Sequence, residues 1–570
     1  MSAVATAFDQ PLAPTTAATA SERRLMLAHL VAGFTALLIG ASLGPLQALN
    51  YAGINTYAML PLQSYYQGLT IHGVFNGYLF TYFVINGLLV YLPARELDLP
   101  INMTLWRSGF ALLAAGAACV LFSIFDNSSS VLWTFYAPMK GSALFYIGML
   151  LLGAGSLSPL PILVELRRTW KRRFPHQVTP LVTYMSLITM LMWAIGGLGV
   201  GIEIVAMLIP WSLGATTTVD PIISRTLFWL TGHPIVYFWL MPAYVSWYAL
   251  LPRQTGGKLV SDKMARITFV LLFVLSLPVG SHHQFADPGF SPIWRGILTA
   301  LTMSVALPSL ITAFSIGLNL EYAGRLRGGR GLIGWFTALP WQDPSVAGQV
   351  LSALTFMVGG ATGFVIGSWQ LNSIVHNTTY LPGHFHMTVG SVTAMTFMAI
   401  TFWMVPHLTG RRLLSPRLAL TAVWLWFIGI SVLSTGMLFA GLYGVPRRSW
   451  ISLLPRSEYD ALYGAAHAPL ALMGVGGAVL WLAIACFYAV FFGTIVFGRQ
   501  QSTPEAIPFS SALGAPAPPI SDPGAAAPVP WLERVWLITG VAVAATLAAY
   551  IPIFWPFLAH PDAVTGWRVW

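Results

Sequence analysis

PLALMGVGGAVLWLAIACFYAVFFGTIVF, residues 469–497, contains no charged side chain. About twenty such residues in a helix, at roughly 1.5 Å rise each, already cross the hydrocarbon of a bilayer. The apolar residues run continuously instead of alternating, which excludes a membrane β-barrel. Outward from this stretch the same signature recurs, giving thirteen apolar segments from one centred near Phe34 to one near Val543. The 570 residues are 56% hydrophobic and only 8% charged, against about 25% charged in soluble domains. So few charges cannot cover that much apolar surface in water. A soluble enzyme, a disordered chain and a nucleic-acid-binding domain are therefore excluded. The expected fold is all-α, a polytopic membrane bundle of about thirteen helices.

Charge distribution supports that count. With the N-terminus in the cytoplasm, 21 of the 28 Lys+Arg fall at cytoplasmic helix ends. The outer ends hold the other 7: Lys140, Arg225, Arg295, Arg447, Arg448, Arg456 and Arg568. This is the positive-inside pattern, so the net charge of +10 is sorted by membrane side and does not mark nucleic acid. Residues 1–24 read as a cytoplasmic tail and 25–499 as a twelve-helix core. Residues 500–532 read as a Pro/Ala-rich cytoplasmic linker, and 533–570 as a thirteenth helix with an outer C-terminus. The first residues lack a basic n-region, so no cleavable signal peptide is expected. No internal repeat supports the inverted-repeat logic of transporters. Cys119 and Cys486 lie far apart and form no metal-binding pattern.

Six of the 12 histidines fall near one end of predicted helices. They are His72 in the second, His233 in the sixth, His282 and His283 in the seventh, and His384 and His386 in the tenth. In that topology all six share one slab in the outer third of the bilayer. Polar groups there are costly and mark function, and four helices bringing imidazoles to one depth point to metal. His282 and His283 are about 100° apart on a helix and, with His233, can close on one ion. Three imidazoles without a thiolate suit copper, zinc or iron. His384 and His386 are about 200° apart and face two different groups. His386 can meet His72 across a planar cofactor and fill both axial positions of a haem iron. His384 alone leaves one axial position open for a small gas. Tyr237 stands four residues after His233, on the same helical face. Its phenol can supply the electron and proton that breaking an O–O bond needs.

The strings LTIHGVFN (69–76), TGHPIVYFW (231–239), SHHQFADPG (281–289) and PGHFHM (382–387) resemble those of subunit I of the haem–copper oxygen reductases. The resemblance spans essentially the whole chain. It implies the catalytic subunit of a terminal oxidase in a prokaryotic inner (plasma) membrane, reducing O2 to water, with proton uptake and proton translocation. It also implies His72 and His386 on a low-spin haem, His384 on a high-spin haem, and copper on His233, His282 and His283. Tyr237 would be cross-linked to His233. A-type members carry a glutamate where Ile235 stands, so the chain looks like the B-type cytochrome c oxidases, with b-type and a-type haems. In that branch one proton path ends at Tyr237. Its expected parts are Tyr244 and Tyr248 on the sixth helix and Ser309, Thr312 and Ser315 on the eighth.

Arg447 and Arg448 break the positive-inside trend beside the haems. They read as a clamp for anionic propionates, gripped by paired hydrogen bonds, with His376 nearby. The chain has no dinuclear copper motif, so a second subunit should carry that site and accept electrons from cytochrome c. Glu203, an isolated intramembrane carboxyl, has no assigned role. A nitric oxide reductase-like enzyme is the alternative; such enzymes use glutamates near the metal and lack the tyrosine, so Ile235 and Tyr237 argue against it. A histidine-lined transporter would hold no haem.

Overall fold

The computed structural model describes residues 18–513 and 531–568. All thirteen apolar segments are helical. Twelve are rods long and apolar enough to cross a membrane, from Ala20–Tyr51 through Tyr65–Glu96, Leu181–Ser212, Asp262–Gln284, Pro292–Leu326, Tyr380–Thr409 and Arg456–Phe497 to Val535–Ala559. The sixth segment is split into Pro221–Gly232 and Pro234–Ala249. Proline lacks the N–H that would continue the ladder, so the rod breaks at His233-Pro234 and the histidine sits at the joint.

Four other rods are irregular at or beside residues singled out above. Helix two changes to π-helix at Phe75–Phe80, just after His72. Helix five does so at Ile204–Leu208, just after Glu203. Helix ten does so at His386–Thr393. Helix seven tightens into the 3-10 turn Leu277–Gln284, which bears His282 and His283. Such interruptions re-aim side chains and recur at functional sites. Three further histidines, His29, His407 and His467, also stand on membrane helices, outside the group of six.

The first helix begins at Ala20, inside the segment expected to be tail. Thr19 and Glu22 form a reciprocal capping box, which satisfies two backbone donors at once. The buried Glu22 carboxylate also accepts from Arg95 (3.3 Å) and from the Ile101 amide (2.9 Å). Of the expected linker, residues 514–530 lie outside the described residues. The stretch before them packs on the core: Leu259 and Leu513 amides bond to Ser511 and Leu259 carbonyls at 3.0 and 2.8 Å.

The thirteenth helix is clasped where it starts. The buried Glu533 carboxylate accepts from the Thr179 amide and hydroxyl at 3.0 and 2.8 Å. It pairs with Arg167 and Lys171, each at 3.1 Å, and with Arg266 at 3.5 Å. After the helix, the chain pairs with the loop before the sixth helix through Val219 and Val564, whose amides and carbonyls exchange bonds of 3.0 and 3.1 Å.

Candidate haem–copper centre

Two neighbouring cavities lie within the bundle. The first is lined by His72, His386, Trp239, Arg447 and Arg448. The second is lined by His233, His282, His283, His384, Tyr237 and Ser309. His384 and His386 thus face different cavities. Phe385 between them lines both, a contact that sequence spacing did not single out.

In the first cavity the His72 and His386 rings lie 6.0 Å apart, centre to centre, and within 14° of parallel. Two metal–nitrogen bonds of about 2 Å plus half an imidazole on each side fill about that distance. His72 Nδ1 meets the Gly40 carbonyl at 2.8 Å, and His386 Nδ1 meets the Pro382 carbonyl at 2.6 Å. Donation through Nδ1 leaves each Nε2 lone pair free and fixes the ring, which is how outer partners orient metal-binding histidines. The spacing and the free nitrogens fit a flat metal macrocycle.

At one edge of this cavity Arg447 donates to Asn377 Oδ1 at 3.0 Å. Arg447 Nε and Arg448 Nη2 are buried without a protein partner. Burial, reinforced by neighbouring Arg448, pulls the Arg447 guanidinium down to about 9, and an anion in the cavity would reverse that. Burial would raise the Tyr136 phenol, but Arg448, Arg225 and Arg447 outweigh it and hold it below its ordinary value. His376 stands in the same loop region, its Nδ1 3.0 Å from Asn372 Oδ1. Burial, then Arg447 and Arg225, press it to about 4, so it is neutral near pH 7.

In the second cavity one nitrogen each from His233, His282 and His283 lie within 4.8 Å of one another. Thr302 spends its proton on the Leu298 carbonyl at 2.6 Å and stands 2.9 Å from His282 Nδ1. It therefore accepts from that nitrogen and leaves His282 Nε2 free. His233 Nε2 and His283 Nε2 are buried without partners, an unfavourable state for polar atoms unless a ligand completes them. Three free imidazole nitrogens in one cluster fit a transition-metal ion. His384 Nδ1 meets the Gly359 carbonyl (3.0 Å) and Thr362 (2.9 Å), again freeing its Nε2. A Cβ on Gly363 would stand 3.2 Å from the His384 ring, so the helix packs closely behind it. The Tyr237 and His233 rings are 5.1 Å apart. Trp229 stacks on His283 at 3.9 Å; nothing in the spacing announced it, because the stack joins two helices.

The hydroxyl residues divide. Tyr248 interacts with Thr268, Thr312 and Ser315, so the stripes on helices six and eight meet there. Ser309 lines the cavity with Tyr237. Tyr244 is fully buried between them, its hydroxyl unpartnered. Glu203 accepts from Ser224 at 2.5 Å, with its other oxygen unpartnered.

Residues 24–480 match the family model for cytochrome c and quinol oxidase polypeptide I. The chain belongs to this family. It is 44% identical to cytochrome c oxidase subunit 1 of Thermus thermophilus over 96% of this chain and 97% of that one. It is 24% identical to quinol oxidase subunit 1 of Bacillus subtilis over 81% and 71%. A cryo-electron microscopy structure of a heme–copper terminal oxidase dimer superposes with a TM-score of 0.91, at 32% identity, over 96% of this chain and 95% of that one. Membership in this polypeptide I family implies haems and copper, and the two cavities offer donors for both.

Proposed function

We propose that the chain is the catalytic subunit of a cytochrome c oxidase: it reduces O2 with four electrons and four protons to two waters. The observation that carries this is the pairing of two cavities through one tripeptide, His384-Phe385-His386, with a three-histidine cluster facing His384. His72 and His386 hold a low-spin haem, His384 a high-spin haem, and His233, His282 and His283 a copper ion. When bound, these groups supply electron transfer and Lewis acidity at the second cavity.

The chain's own residues do the rest. The Nδ1 contacts to Gly40, Pro382, Gly359 and Thr302 keep the ligand rings from rotating. Arg447 and Arg448 neutralise the haem carboxylates, with His376 beside them. Tyr237 stands at the reacting cavity with a proton and an electron to give. Tyr244, Tyr248, Ser309, Thr312 and Ser315 carry protons to it, hydroxyl groups holding a water chain across the apolar bundle.

The haems are one b-type and one a-type. Electrons enter from cytochrome c through a dinuclear copper site on subunit II. The N-terminus is cytoplasmic and the C-terminus outer, in the plasma membrane of a prokaryote, and proton translocation accompanies turnover. Charge movement against the membrane potential costs about 2.3 kcal/mol per 100 mV, so this reaction conserves energy. Residues 25–499 form the oxidase core, which the linker joins to the thirteenth helix. The nitric oxide reductase alternative is not favoured: the relatives are named oxidases, and Tyr237 is in place.

The test is a reduced-minus-oxidised optical spectrum with elemental analysis of the purified complex. Two haem signals and one copper per chain beyond subunit II are expected. Iron without that copper, or no haem, would overturn the reading.

A further inference from the structure

We propose that the thirteenth helix is a positioning element for the metal-ligand turn and acts through Tyr550. This rests on reading His233, His282 and His283 as a copper site. The turn Leu277–Gln284 carries two of those three histidines. The Trp229 side chain stacks on His283. The Trp229 backbone and Tyr550 of the thirteenth helix both close on Gly280, where a Cβ would lie 2.0 Å from the Trp229 carbonyl oxygen and 2.4 Å from the Tyr550 hydroxyl. Only glycine fits that gap.

The hydroxyls of Tyr550 and Ser281 are neighbours, both buried and neither hydrogen-bonded to a described residue. Ser281 directly precedes His282, so the Tyr550 contact fixes the backbone from which the ligand projects. One helical turn on, Ile553 packs with Phe285, Phe290 and Leu298, and Phe557 meets Phe290 at 5.6 Å between ring centres. Positions 550, 553 and 557 share one helical face. That face grips the chain from Gly280 to Phe290.

The helix is itself fixed at both ends. Glu533 is clasped by Thr179, Arg167 and Lys171. Beyond its C-terminal end, the Asp562 amide donates to Asp220 at 2.6 Å. A rod held at both ends can hold what touches its middle. The family model ends at residue 480, so this grip comes from outside the part of the fold that the model describes. A 3-10 turn has poorer internal hydrogen-bond geometry than an α-helix, which makes external support matter more.

Residues outside the ligand set that orient metal ligands typically matter by 10–100-fold in metal affinity. In the assembled holoenzyme, Tyr550→Phe should release copper to a chelator about 10-fold faster. It should also broaden the infrared band of carbon monoxide photolysed onto the copper, with the haem spectra unchanged. Ile538→Ala removes buried packing from the same helix away from the turn and should match the wild type in both readouts. Wild-type copper retention and band shape in Tyr550→Phe would overturn the proposal. An equal change in both variants would too, because it would report general loosening. A wild-type enzyme without copper at the three histidines would defeat the site reading itself, a result distinct from the other two.

Discussion

Two groups of cations, one toward each end of the bundle, meet opposite surroundings. At the end holding Glu533, Arg167, Lys171 and Arg266 converge on one carboxylate. At the end holding the histidine cavities, Arg447 and Arg448 leave guanidinium nitrogens buried without partners, facing the His72–His386 cavity. A buried charge without compensation is unfavourable. The first arrangement is therefore complete as protein and works as a clasp, while the second is complete only with an anionic ligand. Positive charge near a helix end says little by itself; what it meets decides whether it folds the chain or binds something.

The largest effect should come at the ligand-binding end, where a side chain is spent on chemistry. Tyr237→Phe should lower oxygen consumption at least about 100-fold, the scale of losing a positioned proton donor, with both haems still present in the optical spectrum. Full turnover would take the phenol out of the reaction. At the clasp end, Glu533→Gln should leave the spectra and haem content unchanged but destabilise the complex by about 3 kcal/mol, since breaking a buried ion pair strands its partners.

That clasp also carries a pH signature. Although burial raises the Glu533 carboxyl, the Thr179 hydrogen bond and the Lys171 and Arg167 cations together hold it below the ordinary value of 4.5. A depressed carboxylate stabilises the fold fully above its unfolded value and loses that contribution as pH falls through the folded one. Thermal melts should therefore show wild type converging on Glu533→Gln below about pH 4.5. Parallel curves down to pH 3 would mean that the clasp is not electrostatic.

Arg448→Met tests the same contrast from the other side. Two unit charges roughly 8 Å apart interact by about 2 kcal/mol at an effective dielectric of 20, the scale on which losing one cation from the cavity lining would act on a bound haem. The low-spin haem potential should drop by tens of millivolts in a redox titration, with little change in melting temperature. A large loss of melting temperature with no change of potential would make this arginine part of a clasp after all. The smallest effect is expected from Thr312→Val, which removes one hydroxyl at Tyr248. Proton uptake should slow by about 3- to 10-fold, the scale of one hydrogen bond, as read by a pH-indicator stopped-flow trace. Unchanged uptake would leave this hydroxyl purely structural.

The membrane architecture was legible because hydropathy is additive along the chain: each segment declares itself without reference to its neighbours. The histidines were legible for a related reason. Distance from a helix end converts to an expected depth, which grouped the six imidazoles in one dimension; the structure places them on the linings of two cavities. The start of the first helix was missed although its capping box, Thr19 with Glu22, is a local motif; only the further contacts of Glu22 with Arg95 and Ile101 reach far along the chain. The packing of residues up to 513 also needed neighbours to be known.

The sequence by itself determined the thirteen apolar helical segments and the set of imidazoles, because both follow from residue type and spacing along single helices. Only the tertiary structure decided that Trp229 stacks on His283 and that Tyr248 meets Thr312. It alone decided that Glu533 gathers three cations and that Tyr550 closes on Gly280. Each of these contacts joins different helices, and the rotation of one rod against another is set by side-chain packing, which no single helix encodes.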